Sequence, residues 1–510
     1  MVRKRKTSLF IATMAAVTLV VTSCSGGSES GGGGSAAELA IATGSQINSY
    51  DPPDVGDNPA SQYLQPVYDT LVRIDEDAEV QPRLATEWEY DATLTELTMT
   101  LRDDVTFTDG EEFDAEAVKA NLEHFLAGTG PAVRTVSDIE NVEVVDEHVV
   151  RIDLATPNPA LLRYLGLTAG MMASPAAIAG GDLATTPIGS GPYVLDTGAT
   201  VPQSRYVYTR NEDYWNAEAY PYEEVALLPM VDHTARLNAL RTGQADVANQ
   251  MTSRFIDEAE SAGLVATIFP SGDVMGLDLF DRAGTFSPGL ADPRVRQAMN
   301  LAIDREQIVE QLYDGRGLPS TQIFNPDSDA WVDELNDAYP YDPDAARALL
   351  AESGHADGVT VTIPEYSGMG DLLAVLKQQL GEVGITLEGK TVPDAQANTE
   401  MRSGNYPAAL IQLQSNDPWQ AIQLMLQPNS PWNAMGFEDP SVSALIDSAR
   451  NAGEGERAAI YQELNSYLVD EAWFMPVLFI DTIMISSADT ELTPYKYSVV
   501  PPLEAFRPKA

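Results

Sequence analysis

The chain has 510 residues, long enough to bury one or more large cores, and its 44% hydrophobic content excludes a disordered polypeptide. Thirty basic and 76 acidic residues give a net charge of −46, a surface that repels polyanions, so no nucleic-acid partner is expected. The single cysteine, Cys24, can form no disulfide within the chain, and stability must come from packing.

Arg3, Lys4, Arg5 and Lys6 precede Leu9 to Val21, an apolar-leaning stretch too short to span the ~30 Å hydrocarbon layer as a stable helix. Val21-Thr22-Ser23-Cys24 then resembles a bacterial lipobox. The motif implies a signal peptide over residues 1–23, cleavage before Cys24 and acylation of its thiol. Residues 24–37, rich in Ser and Gly, read as the lipidated cysteine and a flexible tether with a span of about 20 Å. No later stretch offers 18 consecutive apolar residues, so the anchor is expected to be lipid alone.

The body opens with Glu38 to Thr43, a strand pattern. Glu96 to Arg102 alternates, which predicts a half-buried strand with Leu97, Met99 and Leu101 on one face. Val105-Thr106-Phe107 continues the strand pattern, Thr108-Asp109-Gly110 makes a turn, and Asp114 caps a helix whose Val118, Leu122 and Phe125 form an apolar stripe. Further on, Val295, Met299 and Ala302 recur at helical spacing.

Leu101 to Gly110 followed by Phe113 to Lys119 closely resembles the hallmark segment of the family 5 extracellular solute-binding proteins, receptors of ATP-binding-cassette importers. The resemblance recurs in order at Val67 to Val72, Pro82 to Trp88, Pro187 to Tyr193, Asn211 to Trp215, Asp292 to Ala298 and Ala302 to Arg305. It implies a two-lobed α/β fold of the periplasmic-binding-protein type, with a large discontinuous first lobe and a cleft that closes on solute. On this expectation the first lobe comprises residues 38–277 and 484–510 and the second residues 278–483. The chain crosses near Leu277 to Phe280 and returns near Phe479 to Ile485.

Gly384 to Thr391 satisfies the GxxxxGK[ST] pattern of a phosphate loop, but Leu372 to Leu380 reads as a helix before it and Ile385-Thr386-Leu387 alternates like a strand. A strand and turn in the second lobe are expected instead. His124, His148, His233 and His355 show no metal-ligand spacing, no GxSxG elbow occurs, and Asp327-Ser328-Asp329 reads as a surface turn, not a calcium loop. No catalytic residue, metal or other cofactor is expected. A secreted hydrolase acting on peptides or esters is the rival class.

The ligand-site expectation falls on Ala408 to Trp419. Alternation puts Gln412 and Gln414 on one strand face, Ser415 and Asn416 lead into a turn, and Trp419 offers an apolar platform with one donor; internal packing of Trp419 is the competing reading. Trp432 and Asn433 are secondary candidates. Similar peptide receptors carry an ammonium-binding acid where this chain has Gln414, so a neutral or amine-blocked polar solute is expected. The expected protein is a monomeric lipoprotein on the extracytoplasmic face of the membrane, with a small polar solute or peptide and a membrane permease as its partners.

Overall fold

The computed structural model describes residues 36–57 and 59–509. The signal segment, Cys24 and the tether up to Ser35 lie outside the described residues. The first strand begins at Ala36, two residues before the expected Glu38, because Ala36 already joins the parallel ladder opposite Tyr222.

A nine-stranded sheet runs through both halves of the molecule. Its order is Ala409–Gln414, Val265–Asp278, Phe474–Ser486, Val247–Ala248, Ala36–Thr43, Tyr222–Pro229, Tyr206–Arg210 and Tyr193–Leu195, with Leu318–Pro319 also paired to Phe474–Ser486. The Ala36–Thr43 strand is buried on both faces: Leu39 and Ile41 enter one apolar core, Ala40 and Ala42 another. A separate four-stranded antiparallel sheet, in the order Ala85–Tyr90, Glu96–Leu101, Val149–Leu154 and Ile139–Asp146, packs under the helix Ala115–Ala127.

Local chemistry explains these elements. Leu97, Met99 and Leu101 are buried and alternate with more exposed residues, as period-two patterning requires. The Asp114 carboxylate accepts from the Ala117 amide at 2.8 Å, a cap that stabilises the helix by about 1 kcal/mol, and Val118, Leu122 and Phe125 are buried below it. Val105 to Phe107 does not extend the strand, because the chain turns back on itself at Gly110 (φ +92°) and Thr106 makes only one bridge, to Glu112. Asp292 and Asp304 cap the helices Pro293–Leu301 and Arg305–Leu312, whose Val295 and Met299 are buried. Ile385–Thr391 is a strand parallel to Val359–Glu365, preceded by the helix Gly370–Glu382, so the phosphate-loop pattern is strand chemistry with Lys390 exposed.

Two long antiparallel strands each contribute to two apolar cores. The outgoing strand Val265–Asp278 gives Phe269 to one lobe's core and Leu277 to the other's; the return strand Phe474–Ser486 gives Met475 and Leu478 to the second and Met484 to the first. Their register shifts between Pro270 and Val274, where Gly272 adopts φ +74°. This bulge bends the outgoing strand at the passage between cores.

Segments far apart in the sequence also meet outside the sheet. One apolar core runs from Leu97 and Val118 to Trp419, Leu464 and Trp473. The Tyr164 hydroxyl donates to Gln423 Oε1 at 2.7 Å, and Arg450 Nη1 donates to Thr156 Oγ1 at 3.2 Å.

Candidate functional site

A cavity of about 160 Å³ lies where four stretches of chain meet: residues 57–75, residues 163–171, residues 414–420 beyond the edge strand Ala409–Gln414, and residues 495–504. Its wall therefore draws on both sides of the cleft.

Beneath one side lies a closed network of charge. The buried Asp69 carboxylate accepts from Arg83 Nε at 2.7 Å, the Tyr214 hydroxyl at 2.8 Å and Trp215 Nε1 at 3.0 Å. Arg83 Nη2 donates to the Tyr220 hydroxyl at 2.8 Å, which in turn donates to Glu504 Oε2 at 2.9 Å. Arg83, Tyr220 and Glu504 reach the cavity wall, whereas Asp69 stays below it. Burial opposes the Arg83 charge, but Tyr220, Tyr214, Asp69 and Glu504 outweigh it and raise the guanidinium pKa, so this cation is held ionised. Segments that read in sequence as separate structural marks, Val67 to Val72, Pro82 to Trp88 and Asn211 to Trp215, converge on this one carboxylate.

Arg163 presents the opposite case. It belongs to the short helix Leu161–Tyr164 and reaches the cavity wall, yet its guanidinium makes no hydrogen bond or ion pair among the described residues, and its Nε is buried without an acceptor. Burial lowers its pKa, and Asp417, Tyr164, Asp57 and Glu79 act against that shift from a distance. Asp57, also on the wall, accepts from the Thr168 amide at 2.9 Å and hydroxyl at 2.6 Å. Burial raises the Asp57 pKa and the Thr168 bonds offset part of the rise. Arg163 as a whole is half-buried, so its Nη groups reach the cavity while Nε is left without an acceptor, a donor set open to an oxygen-bearing partner.

The expected ligand residues separate. Gln414 and Asn416 are on the cavity wall. Asn416 Nδ2 donates to the Tyr497 carbonyl at 2.9 Å, and its Oδ1 lies 1.8 Å from where a Cβ on Gly272 would stand, so only glycine fits the bulge beneath it. Gln412 shares the face of Gln414 but lies off the wall and donates to Asp273 Oδ2 at 2.8 Å. Ser415 is buried, its amide bonded to the Gly272 carbonyl at 3.0 Å.

The tryptophan expectation is corrected. Trp419 is fully buried in the core that joins the lobes, with the Arg450 guanidinium 4.9 Å from its ring centroid, and offers no platform to solute. Helix capping explains this: Asp417 accepts from the Trp419 and Gln420 amides, turning the indole inward and placing Gln420 on the wall instead. Trp432 is half-buried beneath the Arg402 guanidinium at 5.5 Å, away from the cavity. Asn433 spends its side chain on its own loop, donating to the Gln427 and Phe437 carbonyls and accepting from the Phe437 amide.

Sequence reasoning missed Asp57, Arg83, Arg163, Tyr220, Gln420 and Glu504. Arg163 carried a usable signal, since a scarce arginine inside the apolar run Ala160-Leu161-Leu162-Arg163-Tyr164-Leu165 needs a reason to be there.

Residues 79–433 match the profile of the bacterial extracellular solute-binding proteins, family 5 (middle region). The chain belongs to this family. It is 31% identical over 364 residues, 69% of each chain, to the glutathione-binding protein GsiB of Salmonella paratyphi A. Its fold is that of DppA from Helicobacter pylori, solved with the peptide STSA (TM-score 0.80, 20% identity, 93% of this chain and 98% of that one). It also matches CtaP from Listeria monocytogenes (TM-score 0.81, 21% identity, 93% and 100%). The two-lobed α/β fold expected from sequence is thus the fold observed. This family 5 receptor is an extracytoplasmic solute-binding component of an ATP-binding-cassette importer, not a hydrolase, and the cavity between its lobes is the candidate solute site.

Proposed function

We propose that the receptor captures a small solute bearing a carboxylate, a short peptide or amino-acid derivative of comparable size, and delivers it to its permease without chemical change. Arg163 carries this reading. A half-buried guanidinium in a cavity wall, unpaired among the described residues and with its Nε shut off from acceptors, is satisfied when a bound carboxylate accepts two of its donors, and such charge-assisted pairs are short and strong. The glutathione named for the GsiB relatives is a carboxylate-bearing tripeptide of this class and the natural first probe.

The lobes are assigned around the bulge at Pro270 to Val274, somewhat earlier than the Leu277 to Phe280 crossing expected from sequence, with the return within Phe479 to Met484; the passage of both strands from one core to the other supports this. The lipobox-like Val21 to Cys24 supports a diacylglyceryl anchor, and the receptor is taken to act as a monomer. Cys24→Ala is expected to abolish incorporation of labelled lipid, and label retained on that variant would remove the anchor.

The solute reading is tested by calorimetry with glutathione and trialanine, each as free acid and as carboxyl amide, on wild type and Arg163→Gln. Free acids should bind at least about ten-fold more tightly than amides, and the preference should disappear in the variant. Equal binding of acids and amides to the wild type would overturn it. Recovery of unaltered probe after long incubation checks that capture involves no turnover.

A further inference from the structure

We propose that Asp273 is the acidic residue that receives a positively charged amine on the captured solute. The assignment rests on the reading of the cavity as a site for a carboxylate-bearing solute, to which it adds the opposite charge.

In the antiparallel ladder between the outgoing strand and the edge strand, Asp273 stands directly opposite Gln414, a residue of the cavity wall. Directly opposed residues share a face, with Cβ atoms about 4.5–5.5 Å apart. Gln412 lies on that face too and donates to Asp273 Oδ2 at 2.8 Å; Asp273 is not itself a wall residue and adjoins the wall through Gln414. Oδ1 has no partner among the described residues, and the residue is only 7% exposed. Its mounting is rigid: the Asp273 amide donates to Ser271 Oγ at 3.0 Å, and the preceding Gly272 carbonyl accepts from Ser415.

No cation is committed to this acid. The edge strand presents only Gln412 and Gln414 to it. On the return strand Asp481 stands opposite Pro270 and accepts from the Gly317 amide at 3.0 Å. From residues 495–504, Tyr497 gives its hydroxyl to Asp327, and Lys496 lies 3.2 Å from Asp77. An ionised carboxylate has room for about four hydrogen bonds, and a buried one that receives a single amide donor is short of partners. Burial accordingly pushes the Asp273 carboxyl up to about 6, the Gln412 bond offsetting part of the rise.

An ammonium group brings the missing donors and the missing charge together. With its carboxylate at Arg163 and its ammonium at Asp273, a zwitterionic solute would neutralise both unsatisfied groups of the cleft. The neutral amide at Gln414 therefore does not by itself imply an amine-blocked solute. Below about pH 6 the Asp273 carboxyl is protonated before capture, and an arriving ammonium displaces that proton to solvent, leaving carboxylate and ammonium paired.

Calorimetry with glutathione and trialanine, each with a free and an acetylated amine, between pH 5 and 8, tests the assignment. The wild type should prefer free amines by about ten-fold or more at pH 7.5. That preference should shrink as pH falls below about 6, with proton release visible as a dependence on buffer ionisation heat, and Asp273→Asn should abolish it. Acetylated probes binding the wild type as tightly as free ones, or a preference retained in Asp273→Asn, would overturn the proposal; the wild-type comparison holds even if the variant folds poorly. The two readings fail separately: indifference to carboxyl amidation and to Arg163→Gln removes the carboxylate reading, whereas indifference to amine acetylation removes Asp273 alone. If no probe binds, both fall.

Discussion

Asp69 with Arg83, and Arg163 with Asp273, are two buried carboxylates and two half-buried guanidinium groups within or beside one cavity, and they differ in whether their partners are present. Asp69 accepts from an arginine, a tyrosine and a tryptophan, and Arg83 passes a further bond to Tyr220. Arg163 has no anion, and Asp273 has only one amide. A completed network holds the cavity floor in place; an incomplete one holds binding energy for a visitor. Burial alone does not mark a functional charge, because Asp69 and Asp273 are both buried.

The contrast fails first if the floor is not structural. Asp69→Ala strands the donors of Arg83, Tyr214 and Trp215 and is expected to cost about 3–5 kcal/mol, read as a shift in urea midpoint. A cost below about 1 kcal/mol would put Asp69 in the same class as Arg163. Arg163→Gln should act with the opposite balance, cutting affinity for a carboxylate-bearing probe about ten-fold or more while leaving the melting temperature nearly unchanged, since no partner among the described residues is lost.

Asp273 sharpens the comparison through pH. Its carboxyl is raised from 3.8 to about 6 in the folded protein, so the folded state keeps a proton that the unfolded state releases. The stability this group supplies is full below about pH 4 and is lost as pH rises through 6. Asp273→Asn should remove that loss, making the ligand-free variant more stable than the wild type at pH 7 by up to about 3 kcal/mol, as denaturation at pH 4 and pH 7 would reveal. The smallest effect is expected at Lys390, exposed and 5.8 Å from the Tyr406 ring: Lys390→Ala should change stability by less than about 1 kcal/mol and leave solute affinity unaltered.

Much of the scaffold was legible in sequence because it is written in local periodicity and caps. Leu97, Met99 and Leu101 announce their strand, and Asp114 its helix, without reference to anything distant. The site was legible only in part. Gln414 and Asn416 were found because a strand runs into a turn there, but Trp419 was misplaced since the direction of an indole depends on a core that includes Leu464 and Trp473. Arg163 and Asp273 lie far apart in the chain and reach the same cleft only through the lobe arrangement. The partner of a buried charge is a tertiary fact, and so is its absence.

The cavity wall is completed by residues 495–504, whose Tyr495 and Leu503 belong to the same core as Leu39 and Ile41. Tyr497 closes the gap at the bulge, its amide donating to the Pro270 carbonyl at 2.8 Å while its own carbonyl receives Asn416. These contacts span more than two hundred and about eighty residues respectively, separations comparable with those the long sheet itself closes. Tyr497 thus works as a buckle, its amide fastened to the outgoing strand and its carbonyl to the turn after the edge strand, and a chain cut before residue 495 would lose both fastenings together with one wall of its cavity.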